Sequence, residues 1–180
     1  MLKECGNSHE TLFSSSPASF CPVLREVSIM QVLIQGLFET HLTVRNLATS
    51  IAFYQEVVGL ELAYLLPDRA AAFLWIGGRG QAMLGLWEVG DAPNGIRLHL
   101  AFTSTVEQIL TAPSALRLSD VIPKGFYGEP VEEPVVIGWM PALSLYFADP
   151  DGHLLEYLAM LPQEPCPEVG IVPYSQWQLK

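Results

Sequence analysis

Two histidines stand 58 residues apart in matching stretches, FETHLTV around His41 and IRLHLAF around His99. In each, apolar residues alternate with polar ones, the period of a strand with one face on a core. Glu156 follows 57 residues after His99 in a third stretch of the same texture, HLLEYLA. A chain of 180 residues that returns to a half-buried strand at this interval fits a single domain or two half-size modules sharing one core. The polar residue carried on each such strand is one that binds metals, and His with carboxylate suits a divalent ion.

The order of elements repeats as well. In Phe38 to Val44, alternation puts Phe38, Thr40, Leu42 and Val44 on one face and Glu39, His41 and Thr43 on the other. Asn46 reads as an N-cap, Leu47, Ile51, Tyr54 and Val58 recur at helical spacing, and Gly59 reads as the stop. LELAYLL, AAFLWIGG and QAMLGLWEV then read as three strands, parted by Pro67-Asp68 and a Gly-rich turn at 77–80. This first module, 36–90, is β-α-β-β-β. The second, 96–160, opens with Arg97, His99 and Ala101 opposite Leu98, Leu100 and Phe102, so His99 is the positional twin of His41. Ser104-Thr105-Val106-Glu107 has the form of a capping box before a short helix that ends ahead of Pro113. Residues 113–134, rich in Pro and Gly, read as a long irregular connection forming a wall or lid. Strands resume at Val135 to Ile137 and Leu143 to Phe147. The Asp149-Pro150-Asp151-Gly152 turn then returns the chain into His153 to Met160, with Leu154, Glu156 and Leu158 on one face.

Composition narrows the partners. A formal charge of -10, from 9 basic against 19 acidic residues, repels nucleic acid and anionic membrane surfaces. No apolar run approaches the ~18 residues of a membrane span. Cys5, Cys21 and Cys166 are odd in number and lie near the ends of the chain, which indicates neither a disulfide framework nor a Cys-rich metal knuckle and favours a reducing, cytoplasmic setting. Residues 1–29 carry no signal-type apolar stretch and read as a flexible extension, with Met30 a second possible start directly before the domain at 30–160. Residues 161–180 read as a Pro-rich polar tail, with Tyr174 and Trp177 as anchors.

HLTVRNLATSIAFYQEVVGLEL in the first module and SLYFADPDGHLLEYL in the second resemble the most recognisable segments of the vicinal oxygen chelate superfamily. That superfamily includes glyoxalase I, fosfomycin-resistance thiol transferases, bleomycin-binding proteins and extradiol dioxygenases. The resemblance covers roughly residues 36–160 and implies an α+β fold, two βαβββ modules forming a curled mixed sheet around a metal-binding cleft. By its pattern His41, His99 and Glu156 match ligand positions for one divalent metal ion (Fe, Mn, Ni, Co or Zn). Gly85 falls where glyoxalase I has a fourth ligand. The resemblance also implies a small-molecule substrate and a homodimer, and leaves open whether the cleft closes within one chain or across two.

A three-ligand ion keeps places for water or for adjacent substrate oxygens, which implies Lewis-acid chemistry on a small oxygen-rich molecule of the lyase, thiol-transferase or dioxygenase type. The alternative is a non-catalytic binding protein of the bleomycin-resistance type. Thr43 and Arg97, which share the histidine faces, and Trp75 and Trp87, which alternate with Phe73 and Met83, are the substrate-binding candidates; no catalytic acid or base is assigned. Fosfomycin is a poor fit, because WMPALSLYF through AMLPQEP offers no cation for a phosphonate. Asp149, Asp151 and Gly152 are read as turn chemistry, and His153, facing away from Glu156, as structural or solvent-exposed.

Overall fold

A computed structural model describes residues 35–90 and 96–179; the expectations for residues 1–29 lie outside the described residues. The first module contains β1 (Glu39–Val44), α1 (Leu47–Glu56), β2 (Glu61–Leu66), β3 (Ala71–Ile76) and β4 (Ala82–Glu88). Its strands lie in the order β1-β4-β3-β2, with β1 parallel to β4 and the other pairs antiparallel. The second contains β5 (His99–Thr103), α2 (Val106–Leu118), β6 (Val135–Ile137), β7 (Ala142–Ala148) and β8 (Leu154–Met160). The order β5-β8-β7-β6 repeats the first, and β9 (Ile171–Pro173) extends it beside β6. The βαβββ repeat read from the sequence is therefore present, as two mixed sheets of four and five strands. Among the described residues no helix is long and apolar enough to cross a membrane.

Local chemistry explains the element ends. Asn46 accepts from the Thr49 amide at 2.8 Å and caps α1. At the other end the Leu60 amide reaches back to the Tyr54 carbonyl at 2.8 Å, a wrap that needs the positive φ of 84° at Gly59. The second helix departs from its sequence reading in two ways. Its N-cap is Thr105, one residue later than Ser104, and Gln108 rather than Glu107 closes the capping box. The reason is that the Ser104 amide still donates to the Leu158 carbonyl at 2.9 Å, which keeps Ser104 extended beside the strand. The helix also runs through Pro113 to Leu118, because Ile109, Ala112, Pro113 and Leu116 form a continuous buried stripe. Burial of that stripe outweighs the one backbone bond that proline deletes.

Both modules feed a single apolar cluster. Leu42, Val44, Leu74, Leu84 and Leu86 of the first sheet join Leu143, Leu145, Phe147 and Leu155 of the second. Each such side chain contributes roughly 1.5–3 kcal/mol of burial, so the two half-size modules depend on a shared core. The opposite sheet faces, which carry His41 and His99, stay outside it.

The Asp149–Gly152 turn fastens the modules together. Asp149 Oδ1 accepts from the Asp151 and His153 amides at 3.0 and 2.8 Å, while its Oδ2 accepts from the Tyr54 hydroxyl at 2.9 Å. Asp151 pairs with Arg45 at 2.9 Å and also accepts from the Arg45 amide and the Ser50 hydroxyl. His153 is almost fully buried; its Nδ1 accepts from the Leu98 amide at 3.2 Å, which leaves Nε2–H to donate to the Thr43 carbonyl at 3.0 Å. Of its two sequence readings the structural one holds.

The C-terminal stretch packs on the second module. The Tyr174 amide donates to the Pro134 carbonyl at 3.0 Å, Ser175 bonds Glu133, and Trp177, in the short α3 (Tyr174–Trp177), is buried in the core cluster. Gly138 permits this approach, since a Cβ there would sit 2.6 Å from the Cys166 carbonyl oxygen and 2.8 Å from that of Gly170.

Candidate functional site

His99 on β5 and Glu156 on the neighbouring β8 project from the same face, and His99 Nε2 lies 3.1 Å from Glu156 Oε2. Glu156 is 4% exposed, and its second oxygen, Oε1, is buried with no hydrogen-bond partner among the described residues. A buried carboxylate half satisfied in this way is costly unless a cation or donor completes it. Tyr146 stands directly across from Glu156 on β7, with its ring 6.1 Å from His99 and 6.0 Å from Phe126. Burial first, and the Glu156 charge second, push the Tyr146 hydroxyl well above its ordinary value, so it remains a proton-bearing donor. The segment after α2 lies along this face: Lys124 and Tyr146 exchange backbone bonds at 2.7 and 3.0 Å, which makes residues 124–126 a wall on the site.

Sequence reasoning gave Tyr146 no role. Its signal was present in the hairpin register, because counting outward from the Asp149–Gly152 turn pairs Ala148 with Leu154 and Tyr146 with Glu156.

The first module builds a second half. His41 lies opposite Gly85 in the parallel β1–β4 pair, and a Cβ on Gly85 would meet His41 Cδ2 at 2.6 Å. The missing side chain is thus what lets the imidazole lie across β4. Trp87 and Phe73 surround it at 5.6 and 6.1 Å between ring centroids, and the Arg69 guanidinium sits 4.8 Å over the Trp87 ring. Trp87 Nε1 is buried without an acceptor among the described residues. His41 Nε2 is 2.8 Å from Glu39 Oε1, and both side chains are substantially exposed.

Of the metal candidates, the structure brings His99 and Glu156 together and leaves His41 with Glu39. Among the described residues no three His, Cys, Asp or Glu side chains converge on one point within the chain. Of the substrate candidates, Trp87 lies beside His41, Trp75 follows two positions after Phe73 on β3, and Thr43 shares the His41 strand. Arg97 lies at the Asp149–Gly152 turn, 3.6 Å from where a Gly152 Cβ would be. The donor types, a carboxylate oxygen without a hydrogen-bond partner among the described residues and two half-exposed imidazoles, are ones a divalent cation takes, but they are not gathered at one point.

A family model described as Glyoxalase/Bleomycin resistance protein/Dioxygenase superfamily matches residues 36–157. Among solved structures, an integron cassette protein from the mobile metagenome of the Halifax Harbour sewage outfall is 37% identical, with a TM-score of 0.61, over 71% of this chain and 100% of that one. The genomically encoded fosfomycin resistance protein FosX of Listeria monocytogenes is 27% identical, with a TM-score of 0.55, over 72% of this chain and 94% of that one. A lactoylglutathione lyase from Agrobacterium tumefaciens shares the fold at 24% identity and a TM-score of 0.51, over 69% of this chain and 93% of that one. With its repeated βαβββ modules and a family match across most of its length, this chain belongs to the glyoxalase/bleomycin resistance protein/dioxygenase superfamily.

Proposed function

We propose that the protein is a homodimeric metalloenzyme whose centre is completed by His41 of one copy and by His99 and Glu156 of the other. The observation that carries this reading is the buried, half-satisfied Glu156 beside His99, a pair that wants a cation and has no third ligand among the described residues of its own chain. Three further features support the dimer. Among the described residues the strands β1 and β5 are both edge strands with an unpaired side. The histidines they carry are 48% and 46% exposed at the side chain. Closed two-fold symmetry would also build two equivalent sites from the same two surfaces.

A divalent ion held there would supply Lewis-acid stabilisation to adjacent oxygens of a small substrate. The remaining tasks fall to the protein. Tyr146, its hydroxyl held protonated by burial and by the Glu156 charge, stands beside Glu156 as a donor to that carboxylate. Phe126 and residues 124–126 wall one side and exclude water, while Trp87 and Phe73 offer an apolar surface with one unused indole donor. The substrate class is an oxygen-rich carbonyl, epoxide or catechol.

Metal analysis of full-length protein purified without chelators tests the centre, alongside His99→Ala and a screen of these three substrate classes with added Mn, Fe, Co, Ni and Zn. Stoichiometric metal in the wild type, lost in His99→Ala and accompanied by turnover, is the expected result. Absence of metal together with tight ligand binding in His41→Ala would instead assign the chain a sequestering role.

A further inference from the structure

Tyr157 follows Glu156 on β8, so its side chain leaves the opposite face of the sheet, behind the His99–Glu156 pair. Phe102, its partner in the parallel β5–β8 register, projects from that same rear face. Against these two rings lies a crevice of about 360 Å³, bounded by Ile109 of α2 and, from the first module, by Val58, Leu60 and Ile76. It is a seam between the modules that their shared core does not fill.

Size and lining chemistry together narrow what belongs there. The volume is about ten times the ~30 Å³ share of a water molecule, far above the voids that ordinary packing leaves, and it falls within the range of small-molecule sites. Among the described residues no charged side chain lines it. The Tyr157 hydroxyl lines it without a hydrogen-bond partner among the described residues, and burial pushes that hydroxyl up to about 12, so at neutral pH it keeps its proton and can donate. The ring is held against Phe147, with 4.7 Å between centroids. At the rim, Gln108 Oε1 accepts from the Ser104 hydroxyl at 2.9 Å, which leaves the Gln108 amide nitrogen as a second donor on the lining. Apolar walls with donors and no charge select a neutral molecule that carries an acceptor.

We propose that this crevice is a second binding site, for a small, neutral, largely apolar carbonyl compound whose oxygen accepts from the Tyr157 hydroxyl. It lies back to back with the His99–Glu156 pair on the same two strands and shares no side chain with it. It therefore stands independently of the centre proposed above and needs no metal.

Three probes test it on the isotope-labelled full-length protein: acetophenone, ethylbenzene, which is the same skeleton without the oxygen, and benzoate, which carries a charge. Each is titrated into wild type and into Tyr157→Phe, which keeps the ring against Phe147 and removes only the hydroxyl, while nuclear magnetic resonance follows the backbone amides. Saturable shifts at Phe102, Ile109 and Tyr157 are expected with acetophenone. Tyr157→Phe should weaken acetophenone about 3–10-fold and leave ethylbenzene as tight or tighter, a difference that a merely structural role of the hydroxyl would not produce. Benzoate should bind more weakly than acetophenone. Absence of saturable shifts at those residues overturns the site. A Tyr157→Phe variant that changes acetophenone and ethylbenzene alike overturns the carbonyl assignment, and benzoate binding as tightly as acetophenone overturns the preference for a neutral ligand.

Discussion

His153 Nε2 donates to the carbonyl of Thr43 at 3.0 Å, across 110 residues of sequence, and so fixes the end of the His41 strand to the turn that precedes the Glu156 strand. The same ring accepts from Leu98, immediately before His99. One buried imidazole therefore sets the positions of all three strands that carry the candidate ligands.

Replacing His153 by alanine leaves the Leu98 amide and the Thr43 carbonyl without this partner and opens a cavity. The expected loss is about 2–4 kcal/mol, read as a lower urea midpoint with an unchanged slope. A loss below about 0.5 kcal/mol would show that the two contacts carry no weight.

Alkaline stability should fall in a defined window. Burial pushes the Tyr157 hydroxyl up to about 12, against about 10 for an unfolded tyrosine. The native state therefore holds this proton more tightly, and the stabilisation is complete below pH ~10 and lost as pH rises from there through 12. Tyr54 and Tyr146, raised further by burial and by Asp149 and Glu156, act in the same direction. Urea midpoints that decline above pH ~10, with a shallower decline in Tyr157→Phe, are expected. A flat profile to pH ~11.5 would contradict the burial of these hydroxyls.

Gly85→Ala drives a methyl group into His41. Displacing the imidazole costs about 1–3 kcal/mol of strain, or the ring swings away and metal affinity drops while the fold survives. Calorimetric titration of the variant beside the wild type distinguishes these, and a variant equal to wild type in both stability and metal binding would refute the close contact.

Gly138→Ala is a harsher change, because the atoms in its way are the backbone carbonyls of Cys166 and Gly170 rather than a movable ring. The expected result is displacement of the C-terminal stretch, seen as increased proteolysis after residue 161 and a loss of about 1–3 kcal/mol. Resistance equal to wild type would place those carbonyls elsewhere.

Divalent metal should stabilise the folded state in proportion to its affinity, by about 2.7 kcal/mol at a hundred times Kd. Thermal midpoints measured with and without chelator test this, and Glu156→Gln should abolish the difference.

Much of the local architecture was legible in the sequence. Asn46 and Gly59 bound α1 because capping and positive φ are demands made by single residues, and alternation placed His41, His99 and Glu156 on their faces. What escaped were relationships between segments. Neither Tyr54 nor Arg45 announces that its partner is a turn about a hundred residues later, since no period encodes a contact at that range. The first turn of α2 was misplaced by one residue for the same reason: the bond that holds Ser104 extended comes from Leu158, on another strand. That His41 and His99 occupy matching strands was legible, but that His41 lies beside Glu39 and apart from His99 was not, because matching strands say nothing about which copy of a module faces which.

That last separation has a genetic consequence. If His41 serves one copy's partner, a chain with His41→Ala and a chain with Glu156→Gln are each inactive alone, but a mixed dimer contains one site with both lesions and one with neither. Co-expression of two dead alleles should then restore up to about a quarter of wild-type activity under random pairing, half the dimers being mixed and each having one intact site of two. The module repeat would make the gene complement itself.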